Sequence, residues 1–387
     1  MPKLQSRRAF LRMMGATLLA SPITQLNRSY AFTQGGAVRV ARTRSSLKKF
    51  VQEHAAVRDD PWVVMHGIRA LGKDFAIDGE PAVAFLCSHY LQEKVVGGKT
   101  FLYMPVADEG HTNVFLAEAI LDSGLNIEYK FQANGRQHSV GDLLDGAKAL
   151  FVFEPTSMTF NPDDLAWSLL AFSYTISPDN DQWITADGKR IRFAEVVEYA
   201  MTTLERANAR FETEMREGIA PDEPDAIEKF SCAGTHLIYG LGACVRAGYT
   251  ERSLIQRMKR QHDILVWRLA ADMKIAEDYY GQLRGQYPED VVKNYLLDSK
   301  LKFLGHAFET LNVARHHGQF LPTVEQTALI QAGLMRLCDA VDDVKGIDLQ
   351  DERIDPSLRK LFVGDACHAY HALSLIAESP DQQTAPL

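Results

Sequence analysis

The sequence predicts an all-α protein built from about six helical hairpins, with few or no strands. Three observations predict it. Apolar residues recur at three-to-four spacing through most of the chain, the period of a helix with one face turned to a core. The stretch from Phe230 to Trp267 reads as two helices folded back on one another. Two further stretches, Ala133–Leu144 and Ala186–Val197, match at an offset of 53 residues, each with an Asn-Gly or Asp-Gly turn, a basic residue and an acidic residue ahead of an apolar helix. A match at that period predicts a helix pair as the repeating unit. Two unrelated turn-plus-helix segments are the simpler alternative.

Taken in order, residues 1–31 form a basic, moderately apolar leader, 32–60 a polar lead-in with a short helix near Leu47, and 61–380 one helical domain. No Pro/Ser/Gly-rich linker divides it. The first hairpin pairs Trp62–Phe75 with Pro81–Gln92 across a turn at Asp78-Gly79, and the Gly-rich Val95–Pro105 reads as a loop with some extended structure. The inner helices that follow are predicted at His111–Asp122, Pro162–Tyr174, Ser231–Ala247, Ser299–Ala314 and Asp365–Ala377. Their outer partners are predicted at Val140–Phe151, Phe193–Glu217, Thr250–Tyr280 and Val324–Val344, with the helix near Leu47 as the partner of the last.

The hairpin from Phe230 shows why one helix of a pair is inner. Small residues, Ala233, Gly234, Gly240, Gly242 and Ala243, alternate with Leu237, Ile238, Leu241 and Val245, so the first helix can be packed closely on nearly all sides. Gly248 suits the left-handed conformation that closes it, and Ser231 and Thr250 read as caps. In the second helix Leu254, Ile255, Met258, His262 and Leu265 share a face, while Arg252, Gln256, Lys259 and Arg260 share the wet one.

At the N-terminus, Ser6-Arg7-Arg8-Ala9-Phe10-Leu11 resembles the twin-arginine export signal of bacteria, with Arg12 where that pattern favours Lys, and Ser29-Tyr30-Ala31 fits a small-x-small cleavage site. The resemblance implies the twin-arginine export machinery as a partner, cleavage near Ala31 and a soluble periplasmic product. Removing that leader takes away five basic residues and no acid, moving the formal charge from -8 to -13. So acidic a chain is a poor partner for nucleic acid or an anionic membrane. No later run is long and apolar enough to insert stably in a bilayer. The five Cys are an odd number, and Cys232 and Cys244, roughly 18 Å apart on one helix, cannot bridge each other, so this is no disulfide scaffold.

The order of hairpins resembles the α/α-toroid proteins, in which six inner helices form a ring inside six outer ones. The segments Cys232-Ala-Gly-Thr-His236 and Leu304-Gly-His-Ala-Phe-Glu309 also look like those of exported bacterial proteins of unassigned function. The toroid resemblance implies parallel inner helices whose N-terminal ends gather around one mouth. Those positions carry His66, His111, Asp163 or Asp164 with Trp167, His236, His306, and His368 with His371. Helix N-termini carry partial positive charge, so such a mouth favours a glycan or small anionic ligand. For any one His, a packed core or rim position is the simpler reading.

Two chemistries follow. His111, Asp164 and His236 are candidate catalytic residues, a carboxylate working with an imidazole as acid and base, with His66, Trp167, Tyr239 and His306 as ligand-binding candidates. Cys232 with His236, and Cys367 with His371, place a thiol and an imidazole four apart on one helical face, and together they make a candidate Cys₂His₂ zinc set. Tandem His316-His317 reads as a helix end. Nucleophile-elbow, zincin, Walker and dinucleotide motifs are absent from the sequence. Two functional classes stay open: a hydrolase or lyase acting on a carbohydrate or cell-envelope polymer in a central cavity, or a non-catalytic binding or scaffold protein that binds metal.

Overall fold

The computed structural model describes residues 34–157, 160–219 and 234–377. The leader with its twin-arginine pattern, Ser231 and Cys232 lie outside the described residues. Helix dominates. In chain order the helices are α1 (Gln34–His54), α2 (Pro61–Leu71), α3 (Ala82–Tyr90), α4 (Val106–Glu109), α5 (Phe115–Leu121, π-wound), α6 (Val140–Ala149), α7 (Leu165–Ser173), α8 (Phe193–Glu217), α9 (Thr235–Arg246), α10 (Arg252–Leu283), α11 (Glu289–His316), α12 (Val324–Val344) and α13 (Pro356–Ala377).

Local chemistry explains many of the boundaries. Asp60 accepts a hydrogen bond from the Val63 amide ahead of Pro61, the first residue of α2, and capping boxes at Ser139/Asp142 and Thr323/Gln326 start α6 and α12. Gly248, at φ 105°, lets Tyr249 N–H return to the Cys244 carbonyl and close α9. Thr250 does not cap α10: Glu251 holds that position, and the Thr250 hydroxyl turns back to the Gly248 carbonyl.

Strand is confined to small two-stranded sheets, consistent with the expected all-α class. Four antiparallel two-stranded hairpins pair β1 (Ala76–Ile77) with β2 (Glu80–Pro81), β3 (Gln92–Val96) with β4 (Lys99–Tyr103), β5 (Lys130–Ala133) with β6 (Arg136–Ser139), and β7 (Gln182–Ile184) with β8 (Arg190–Arg192). The reason is turn chemistry. Asp78-Gly79 and Asn134-Gly135 have positive φ at both residues, the geometry whose twist matches paired strands. Both stretches matched at the 53-residue offset take one form, a hairpin running directly into a helix, α6 or α8, and β1–β2 leads into α3 in the same way.

Six helices pack in a closed order. α2 packs on α5, α5 on α7, α7 on α9, α9 on α11, α11 on α13, and α13 in turn on α2. The others lie against these: α3 on α2, α6 on α5 and α7, α8 on α7 and α9, α10 on α9 and α11, α12 on α11 and α13, and α1 on α13 and α2. Residues 34–54 are therefore a full helix of the fold and not a lead-in; the weak periodicity of α1 reflects a narrow buried face of Val40, Leu47, Phe50 and Val51. α11 and α13 begin earlier than expected, at Glu289 and Pro356, so His306 and His368 sit mid-helix and not at N-terminal ends. Cys87, Cys244, Cys338 and Cys367 are free and buried.

His262, on the buried face of α10, has its ring 5.5 Å from Phe320, and Nδ1 has no hydrogen-bond partner among the described residues. Burial lowers its pKa from 6.5 to about 4. The unfolded chain therefore takes up this proton first as pH falls. The stability the neutral ring contributes is intact above the unfolded value and is lost on the way down to the folded one. Against wild type, His262→Leu should gain ~3 kcal/mol between about pH 7 and pH 4 in urea titrations. Parallel pH profiles for the two proteins would refute this.

Candidate metal centre

The imidazoles spread through the sequence converge. His236 (α9), His306 (α11) and His368 (α13) are buried, and one ring nitrogen from each lies within 4.8 Å of the other two. Ring centroids are 4.9 Å apart for His236–His306 and 3.9 Å for His306–His368. His66 on α2 meets the His368 ring edge-on at 5.0 Å, and Trp62 covers His66 at 3.8 Å. The backbone of Gly364 passes so close to Trp62 that a Cβ there would fall 2.2 Å from the indole.

Most of these rings are oriented by their own helices. Nδ1 of His66 and of His306 donates to the carbonyl four residues back, Trp62 O and Lys302 O, each at 2.7 Å. His368 Nδ1 is 2.9 Å from Glu309 Oε2. These bonds leave Nε2 as the free atom on each ring. Among the described residues Nε2 of His236 is buried without a hydrogen-bond partner, as is the indole Nε1 of Trp167, whose ring is 4.6 Å away. Burial, helped by neighbouring imidazoles, holds the pKa values of His66, His236 and His306 well below the usual value. All three rings are therefore neutral at pH 7, the form that coordinates metal. For His368 burial acts the same way, but the Glu309 carboxylate outweighs it and the pKa is raised.

A layer of buried charge lies beside the rings. Arg69 Nε is 2.9 Å from Glu309 Oε1 and 3.2 Å from Glu118, and its Nη1 holds Asp122, which also accepts from the Tyr239 hydroxyl. His371 Nδ1 meets Glu309 Oε1 at 2.6 Å. Glu309 thus joins His368, His371 and Arg69. No protein-family model, curated protein or solved structure matches the chain. The site is read from its chemistry alone.

That chemistry fits a metal ion. Three imidazoles, His236 and His306 neutral and His368 after release of its proton, make a known ligand set for zinc and related divalent ions, and a carboxylate or carbonyl on the far nitrogen of a ligating His is the usual orienting partner. Tetrahedral bonds of about 2.05 Å would bring the nitrogens to ~3.4 Å apart, which small side-chain rotations can reach. Of the Cys₂His₂ set expected from sequence, Cys232 lies outside the described residues, and the other half is placed away from the ring cluster. His371 is committed to Glu309, and Cys367 is fully buried with its thiol pushed up by burial, which disfavours a thiolate. Neighbouring positions on a helix differ by about 100° in direction, so His368, not Cys367, faces the cluster.

The remaining expected residues divide between two places. His111, half-exposed between α4 and α5, has Nδ1 3.6 Å from Asp164 and its ring 6.1 Å from His236, so the three catalytic candidates form a chain of neighbours. Asp164 lines a cavity of about 410 Å³ with Glu109, Asn113 and Ser168. Glu109 accepts from the amides of Asn113 and Phe115, yet burial pushes its pKa up to about 8. Tyr239 belongs to the charged layer, with the Arg69 guanidinium 4.7 Å over its ring. Sequence reasoning missed Arg69, Glu118 and Asp122. The available signal was isolated charge in otherwise apolar runs, Arg69 in VVMHGIRAL and Glu118 and Asp122 in FLAEAILD.

Proposed function

We propose that this chain is an exported α/α-toroid metalloprotein in which His236, His306 and His368 hold one zinc-like divalent ion. One observation carries the metal reading: three buried imidazoles with ligand atoms within 4.8 Å of one another, two of them already fixed through Nδ1. The toroid reading rests on the packing order α2, α5, α7, α9, α11, α13 returning to α2, and the export reading on the Ser6–Leu11 pattern. A His₃ set leaves a coordination position open, and an ion bound there supplies Lewis acidity for hydrolytic or lyase chemistry. Glu309 and the Lys302 carbonyl orient the rings, and Asp365, whose carboxylate lies 3.8 Å from His306 Nδ1, is a proton carrier beside them.

A second reading is favoured by the cavity at Glu109 and Asp164: acid–base catalysis on a glycan or envelope polymer, with His111 against Asp164. One set of preparations separates the two. Elemental analysis of protein purified without added metal should give about one transition-metal ion per chain, lost in His306→Ala and kept in His316→Ala, while Glu309→Gln should weaken metal affinity ~10–100-fold. Background metal content that zinc reconstitution does not raise would end the metal reading. Turnover of envelope glycans that survives chelation but not Asp164→Asn would establish the second.

A further inference from the structure

We propose that a cavity of about 810 Å³ between α1 and α13, lined by Arg44, Lys48, Arg69 and His371, binds a small multiply charged oxyanion, a phosphate ester or a polycarboxylate. The wall is built for negative charge. Arg44 and Lys48, one helical turn apart on α1, both line it, and neither makes an ion pair among the described residues. Tyr370 adds a hydroxyl beside them, while those of Ser45, Ser123 and Ser374 already donate to backbone carbonyls. Arg69 has a side chain 1% exposed, and its Nη2 has no hydrogen-bond partner among the described residues.

The lining contains one carboxylate, Asp122, and it is already engaged by Arg69 and the Tyr239 hydroxyl. The charge of Arg44 and Lys48 is therefore uncompensated on the wall. A guanidinium and an ammonium beside a hydroxyl group recognise phosphate and carboxylate oxygens through charge-assisted hydrogen bonds. The cavity also touches the end of α2 at Leu71–Gly72, where cations would settle the helix C-terminus without any ligand. That role would stabilise the protein but would not produce saturable anion binding. The proposal does not depend on the metal reading: none of the three ring ligands lines this cavity.

The test is calorimetric titration of the full-length protein with inorganic phosphate and, separately, citrate at constant ionic strength. One-to-one binding with a dissociation constant below about 1 mM is expected for at least one of them. The Arg44→Ala/Lys48→Ala double variant should weaken it roughly tenfold or more, while Arg42→Ala/Lys49→Ala, on the same helix but off the cavity wall, should not. Phosphate preference would assign a phosphate ester and citrate preference a polycarboxylate. Absence of saturable binding for both probes, or equal weakening by the two double variants, would overturn the proposal. A lowered melting temperature in Arg44→Ala/Lys48→Ala without any anion dependence would assign these side chains to the helix end instead.

Discussion

Replacing Arg69 by methionine is expected to destabilise the protein by ~3–5 kcal/mol or more, because it strands buried carboxylates around a missing cation. Glu118 and Glu309 have side chains 1% and 3% exposed, and Asp122 16%. Methionine keeps most of the volume, so the loss reports charge and not a void. The pH dependence identifies the cause. Burial works to raise Asp122 and Glu309, but Arg69 together with Tyr239, His368 and His371 outweighs it and both pKa values are lowered, so their contribution is present above the unfolded values and fades as pH falls. Without Arg69 burial is opposed only by these remaining partners, the folded pKa values rise, and the stability the carboxylates contribute at neutral pH is reduced. The deficit of Arg69→Met should therefore be larger near pH 7.5 than near pH 5 in urea denaturation. A loss under about 1 kcal/mol, or a pH-independent one, would show that the network does not stabilise the fold in this way.

Gly240→Ala should be the second most damaging single change, at ~2–3 kcal/mol. A Cβ there would lie 2.4 Å from the Ala166 carbonyl oxygen and 3.2 Å from Leu169 Cβ, so α7 and α9 would have to move apart as whole backbones. Two other glycines calibrate the effect. At Gly242 the near atom is the tip of the flexible Gln319 side chain, at 3.1 Å, and alanine should cost less. At Gly281, in α10, nothing lies within 4 Å, and alanine should stabilise by about 0.5–1 kcal/mol through helix propensity. Because His236 lies one turn before Gly240 on α9, Gly240→Ala should also weaken metal binding. Equal stabilities for Gly240→Ala and Gly281→Ala would sink the close-packing account.

The sequence by itself determined the local features. Helical periodicity placed α8 and α12 to the residue, Asn134-Gly135 and Asp187-Gly188 marked turns ahead of α6 and α8, and the small residues of α9 announced a helix packed closely on its neighbours. These depend on side-chain period and backbone φ, which neighbouring residues set. That an Asp-Gly or Asn-Gly turn would draw its flanks into paired strands was also local information, and turn chemistry outweighed the helical pattern around it. The starts of α11 and α13 were local information too: Val292, Leu296 and Leu297, and Leu358 and Phe362, already follow helical spacing ahead of Ser299 and Asp365.

The site was decided by tertiary structure. His236, His306 and His368 could be noted as imidazoles on helices, but which side of each helix faces the others depends on how α9, α11 and α13 pack, and 100° of rotation separates Cys367 from His368. The same packing sets Glu309 between His368, His371 and Arg69, residues 59, 62 and 240 positions away in the chain. A buried charge is tolerated only where opposite charge arrives to meet it, and that arrival is a property of the folded chain and of no segment within it.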